Sequence, residues 1–243
     1  MKFNGINPRD ISPRISIERE IVGSIPPRSL QMLSLNGGAG YVGMTYEPRP
    51  FTARINIGAW TRPGCWELAQ RLSDWACTDE PCELEPTHAP GRAFTAILDS
   101  ASDLQNVRGF AVIDYHFTIP RPFYHSIVEN VVVMPGGGRI HFRGNVPAQL
   151  SITHRMAKAA QALTISHNGT PFVRLRRQDG ENIPAGVTLR VDMANKLIQY
   201  NGEADQDLVD YTAMNWRQRI CGAADISVSD EGHTEIRWRD EWT

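Results

Sequence analysis

Phe51-Thr52-Ala53-Arg54-Ile55-Asn56-Ile57-Gly58 and Ala111-Val112-Ile113-Asp114-Tyr115-His116-Phe117 decide the fold class. Side chains of an extended chain point alternately to its two faces. Phe51, Ala53, Ile55 and Ile57 therefore share one face, with Thr52, Arg54 and Asn56 on the other, and Ala111, Ile113, Tyr115 and Phe117 repeat the arrangement. Such period-two patterning predicts half-buried strands. Ile15, Ile17 and Ile21 form another set, and Val187, Leu189, Val191 and Met193 a fourth. Between these runs stand Asn36-Gly37, Asn168-Gly169, Asp179-Gly180 and Asn201-Gly202, dipeptides that tolerate the positive φ of tight turns. Asn168-Gly169 separates Leu163-Thr164-Ile165 from Phe172-Val173, which predicts a β-hairpin.

One helical pattern stands out, from about Cys65 to Ala76. Leu68, Ala69, Leu72, Trp75 and Ala76 fall on one face by three–four spacing. Pro63-Gly64 precedes it, and Thr78 to Pro81 ends it. Met156 to Leu163 is alanine-rich but short and reads as an irregular connection. Ile119-Pro120-Arg121-Pro122-Phe123 breaks any strand, because proline cannot donate to a ladder. The fold class is thus mainly β, in two β-rich domains. Residues 1–124 form a β-sandwich or split barrel with one helix at about 65–76, and 125–243 a second sandwich of short strands. With 243 residues, 41% apolar, each half can bury a core.

Composition excludes several functions. The net charge is −2 and no basic stripe is present, which argues against nucleic-acid recognition. The densest basic run, Arg174-Leu175-Arg176-Arg177, alternates as a strand does. It reads as a solvated strand face and a turn, the alternative being a phosphate-binding patch. The N-terminus lacks the apolar core of a signal peptide, and the longest apolar run, Val131 to Met134, is too short to span a bilayer. Cytoplasmic synthesis with reduced Cys65, Cys77, Cys82 and Cys221 is the expectation.

No constellation of catalytic residues emerges. Gly38-Ala39-Gly40-Tyr41-Val42-Gly43 fits the dinucleotide pattern, but Pro48, Pro50 and a strand follow it where a helix is required. It reads as a glycine-rich hairpin tip. Cys77, Cys82 and His88 lack zinc-site spacing, and the seven histidines form no His-Glu-x-x-His. There is no Gly-x-Ser-x-Gly elbow. Asp205, Asp207 and Asp210 crowd into one loop without the glycine or glutamate of a calcium loop. No catalytic, cofactor or metal site is expected. The six tryptophans are core or contact residues, or a platform for sugar.

Several landmarks resemble the distal tail (Dit) family of siphophages. Phe3-Asn4-Gly5-Ile6 with Asp10-Ile11 is similar to that family's first strand and turn, and Gly37 to Gly43 leading into Tyr46-Glu47-Pro48-Arg49 to its glycine-rich hairpin. Asp114 to Tyr124 resembles the strand that closes the first domain. In the second half, Val187 to Asp192 with Ile198 to Gly202 is similar to the central hairpin of the family's galectin-like sandwich, and Thr234 to Trp242 to its last strand. One departure is Gly38-Ala39-Gly40, where family members often carry a charge.

The resemblance implies a virion protein of the tail tip that is not an enzyme. It implies a homo-hexameric ring, with the tail tube above, the tail-associated hub below, and a second domain that projects outward, carrying receptor-binding proteins or merely decorating the rim. Gly37, Gly38, Gly40, Tyr41, Trp66 and Arg71 are the candidate assembly residues. Two other readings compete. The C-terminal sandwich could be a carbohydrate-binding module for a host envelope glycan, with Trp216 and Trp238 as contacts, or the protein could be a sandwich glycosidase.

Overall fold

A computed structural model describes residues 1–35, 38–107, 109–216 and 218–243. The chain divides into two compact units, Met1–His125 with Thr243, and Ser126–Trp242. It is mainly β, as the alternating runs predict.

The first unit contains β1 (Lys2–Phe3), α1 (Pro8–Ile11), β2 (Ile15–Val22), β3 (Arg28–Leu35), β4 (Gly38–Tyr46), β5 (Arg49–Gly58), α2 (Arg62–Ala76), β6 (Cys82–Glu85), β7 (Arg92–Ala101), β8 (Gln105–Val107) and β9 (Phe110–Ile119). Its antiparallel sheet runs β1-β6-β7-β9-β5-β2, with β8 also pairing to β9. The predicted faces of β5 and β9 are those observed: Phe51, Ala53, Ile55 and Ile57, and Ala111, Ile113, Tyr115 and Phe117, are buried. The two strands pair in register from Arg49 opposite Ile119 to Gly58 opposite Phe110.

Helix α2 closes this core. Cys65, Ala69, Leu72, Trp75 and Ala76 are buried. The Trp75 ring meets Phe3 edge-on at 5.9 Å, and its indole N–H donates to the Phe3 carbonyl at 3.2 Å. The helix begins at Arg62, ahead of the predicted start, because Thr61 caps it by accepting from the Gly64 amide at 3.2 Å. Proline is compatible with the first turn, where its missing N–H has no partner to lose. The short helix α1 has a capping box between Asn7 and Asp10, a local signal that the sequence carries.

Strand β2 departs from the predicted alternation. Ile17 pairs with Ile55 and Arg19 with Arg54, so Glu18 is an extra residue and a bulge. A bulge reverses which side chains face inward. Ile21 is consequently 45% exposed, while Glu20 turns inward and accepts from the Thr87 amide and hydroxyl at 2.8 and 2.5 Å. Burial alone would raise the Glu20 pKa, but the donors from the Met1 ammonium and Thr87 outweigh it and hold the carboxyl below its usual range.

Strands β3 and β4 form a separate two-stranded hairpin. A short strand, β10 (Tyr124–Ser126), ends the first unit's chain.

The second unit contains β11 (Asn130–Pro135), β12 (Gly137–Phe142), β13 (Leu150–Arg155), β14 (Ala162–His167), β15 (Thr170–Arg176), β16 (Thr188–Asp192), β17 (Leu197–Tyr200), β18 (Glu203–Ala204), β19 (Gly222–Val228), β20 (His233–Trp238) and β21 (Glu241–Trp242). It is a sandwich of two antiparallel sheets, β11-β20-β13-β16-β17-β18 and β12-β19-β14-β15. Ile152, Leu189, Val191, Ile198 and Ile236 from the first pack in one core with Ile140, Leu163, Ile165, Phe172, Leu175 and Ile226 from the second. The hairpin at Asn168-Gly169 is present as predicted, both residues having positive φ. Between β11 and β12 the chain passes from one sheet to the other at Gly137, whose φ of +127 and close approach to the Ile226 carbonyl admit no side chain.

Candidate functional site

The hairpin of β3 and β4 is anchored at its root. The Glu47 amide donates to the Pro27 carbonyl at 3.0 Å, and the Tyr46 ring meets Phe123 edge-on at 4.7 Å. Beyond the root, Leu30 pairs with Met44 and Met32 with Tyr41, a bulge at Val42 keeping them in step. Paired residues and residues two apart share a face. Leu30, Met32, Met44 and Tyr41 therefore make one apolar stripe, in which Leu30, Met32 and Tyr41 are 62, 53 and 63% exposed. Isolated hairpins are marginal, and exposed apolar strands invite pairing with another chain.

The predicted assembly residues divide between this arm and α2. Gly37 lies outside the described residues. Gly38 and Gly40 pair with Leu35 and Leu33 in the arm, so the glycine motif opens a strand and not a helix. Trp66 stands 55% exposed on α2. Arg71, on the same helix, donates to the Ile11 carbonyl at 2.7 Å, holding α1 against α2.

Beneath the root of the arm lies Arg49, 2% exposed. Its guanidinium donates to the Gly23 carbonyl and, at 3.3 Å, to that of Pro122. It lies over the rings of Phe94 and Tyr124 at 5.2 and 5.6 Å, a cation–π arrangement. Burial pushes its pKa below the usual guanidinium value, against the pull of Tyr124.

In the second unit, His154 connects Thr234 and Asp230. Its Nδ1 is 2.8 Å from the Thr234 hydroxyl and its Nε2 3.0 Å from Asp230 Oδ2. A hydroxyl, an imidazole and a carboxylate in line have the chemistry of an activated nucleophile, but Thr234 is 0% and His154 1% exposed. No substrate can reach that hydroxyl, so the trio is structural. Asp230 also accepts from the amides of Ala157 at 2.6 Å, Gly232 at 3.0 Å and Lys158 at 3.3 Å. Burial would raise its pKa, yet these donors and His154 bring it below the usual value. Burial lowers the His154 pKa despite the attraction of Asp230.

The candidate sugar platforms fare differently. Trp238 is 5% exposed, packs on Phe142 at 5.0 Å and donates to Asp240 at 3.2 Å, leaving no ring face for a glycan. This corrects its reading as a contact. Trp216 is half-buried against the sandwich core. Cys77 is exposed and Cys82 half-buried, while His88 bonds the Tyr124 hydroxyl at 2.9 Å. Among the described residues no three His, Cys, Asp or Glu side chains converge as metal ligands. No helix among them is long and apolar enough to cross a membrane.

An open groove of about 660 Å³ lies on the outer face of β15. Arg174, Arg176, Gln161, Gln178, Asp210 and Tyr211 line it. The Asp210 amide donates to the Arg174 carbonyl at 3.0 Å, so the segment after β18 runs along the edge of β15. This proximity of residues 36 positions apart is not visible in the local sequence.

Residues 143–242 match the family model described as the siphovirus-type tail component, C-terminal domain. No curated protein sequence matches the chain significantly. Among solved structures, the distal tail protein Dit (gp 19.1) of phage SPP1 superposes with a TM-score of 0.80 at 12% identity, covering 99% of this chain and 98% of that one. That protein is described as a paradigm of the hub adsorption apparatus in phages infecting Gram-positive hosts. The phage P2 baseplate in its activated conformation with calcium gives 0.51 at 9% identity, covering 93% of this chain and 90% of the matched one. The strontium form gives 0.51 at 10%, with the same coverage. The resemblance to the distal tail family read from the sequence is therefore borne out, by the family model over most of the second unit and by fold over nearly the whole chain.

Proposed function

We propose that this protein is a structural ring component of a siphophage tail tip, a homo-hexamer that joins the tail tube to the hub and host-recognition apparatus. The observation that carries the reading is the arm of β3 and β4. Its apolar stripe of Leu30, Met32 and Tyr41 is left in solvent by its own chain, as expected of a segment that a second copy covers. Each side chain so buried contributes about 1.5–3 kcal/mol. In a closed ring the arm of one copy meets a different patch on the next, so every arm is covered and growth stops. The tail tube protein, the tail-associated hub and receptor-binding proteins are the further partners. Neither role requires an active site.

Light scattering on a sizing column tests the ring. The expected mass is six times the 27.2 kDa chain, with rings in negative stain. Leu30→Asp with Met32→Asp places charges in the stripe and is expected to give a folded monomer. A wild-type protein that stays monomeric after purified tail tube and hub proteins are added overturns the reading.

A further inference from the structure

Arg174 and Arg176 alternate with buried Leu175 along β15, and their side chains are 47 and 59% exposed. Among the described residues one carboxylate faces both. Asp210 Oδ2 stands 3.8 Å from Arg174 Nε and 3.5 Å from Arg176 Nε, separations that pair charge without good hydrogen bonds. Asp210 is already engaged, because Oδ1 accepts from the Thr212 hydroxyl at 2.6 Å and its amide at 3.2 Å. The two forks are thus oriented by one carboxylate but retain donors for something else. Their neighbour Arg177 is occupied by Asp179 and Glu181. The groove therefore carries an excess of positive charge in a chain whose net charge is −2.

Its walls are polar. Gln161 and Gln178 supply amides that can donate to and accept from hydroxyls. Tyr211, 69% exposed, offers an aromatic face at one side. A volume of about 660 Å³ is that of a small-molecule site. Guanidinium forks match the oxygens of a phosphate or carboxylate, and an aromatic face with amides matches a sugar ring.

We propose that this groove binds an anionic saccharide unit, a sugar bearing a phosphate or carboxylate. The anion meets the guanidinium N–H groups that Arg174 and Arg176 do not direct at Asp210, and the ring lies toward Tyr211 and the glutamines. The site is independent of the tail-tip reading, since it lies within the second unit and needs no ring.

Calorimetric titration of the full chain with glucose 1-phosphate, glucuronate, glucose and inorganic phosphate is the test. Glucose 1-phosphate or glucuronate is expected to bind more tightly than glucose and inorganic phosphate, and the stronger of the two identifies the anion. Arg174→Gln with Arg176→Gln is expected to weaken that binding by at least about tenfold, because charge-assisted hydrogen bonds are lost. Tyr211→Ala is expected to weaken the sugar anion and leave inorganic phosphate unchanged. Tyr211 is exposed, so that variant tests the site even if the double variant folds poorly. The proposal is overturned if neither sugar anion binds at about 10 mM, in the millimolar range where weak sites register. It is equally overturned if inorganic phosphate binds as tightly as the sugar anions, or if a folded double variant binds as the wild type does.

Discussion

Asp230→Ala is expected to unfold the second unit or to destabilise it by at least about 4 kcal/mol, at the extreme of single-residue effects. The carboxylate accepts from three backbone amides and from His154. Truncation takes the acceptor from all four, and the Gly232 amide and His154, whose bonds to it are buried, are each left unsatisfied at about 1–3 kcal/mol. Asp230→Asn restores only part of the loss: its carbonyl can take the Oδ2 position, where His154 and the Ala157 and Gly232 amides meet the carboxylate, but its NH2 then faces the Lys158 amide and the charge is lost. The packing here admits only glycine at 232, since a Cβ would run into the Arg155 carbonyl and the Asp230 carboxylate. Differential scanning calorimetry that shows either variant within about 1 kcal/mol of wild type, the range of ordinary surface changes, contradicts this account.

The same cluster sets a pH dependence. His154 and Asp230 both have pKa values below their ordinary ones. The unfolded chain therefore takes up protons that the folded one refuses, and stability falls as pH falls. The contribution of His154 is complete above about pH 6.5 and is lost progressively below it. That of Asp230 is complete above about pH 4 and is lost in stronger acid. His154→Gln is expected to flatten the melting-temperature slope between about pH 6.5 and 5, the range in which, of this pair, the imidazole and not the carboxylate changes charge in the unfolded chain. A slope unchanged in that variant removes His154 from the explanation.

What the sequence displays and what it conceals have distinct physical causes. Strands β5 and β9 were legible because each is half-buried in a sheet, where solvent and core impose period two. The buried face of α2 was legible for the same reason at helical spacing. Strand β2 was misread at Ile21 because one extra residue, Glu18, inverts the alternation with no marker of its own. Arg49 was in phase with Phe51, Ala53, Ile55 and Ile57, so its burial was encoded. Its charge, ordinarily a mark of exposure, masks the phase. The Asp230 cluster and the groove were beyond local reading. Asp230 and His154 are 76 residues apart, and Asp210 reaches Arg174 only because its segment covers the edge of β15.

Arg49→Ala is expected to destabilise the first unit by about 3–5 kcal/mol, combining the cavity left by a large buried side chain with the loss of its hydrogen bonds. The consequence extends past stability. Gly23 follows β2 just before the arm, Arg49 begins the strand just after it, and Pro122 precedes Phe123, on which Tyr46 packs. A single guanidinium therefore ties both ends of the arm to the segment its root rests on. Lysine has one ammonium and cannot span two carbonyls in a fixed fork, so Arg49→Lys should retain more stability than alanine yet leave the root loose. Arg49→Met separates the effects: it fills much of the volume between Phe94 and Tyr124 but makes neither tie. If the fork serves to aim the arm, methionine recovers much of the stability lost to alanine, while amides in 28–46 exchange faster than in wild type. Hydrogen exchange in that segment matching wild type in a folded Arg49→Met protein would assign Arg49 to the core alone. Faster exchange accompanied by loss of rings would make it the residue through which the fold of one copy positions the arm for the next.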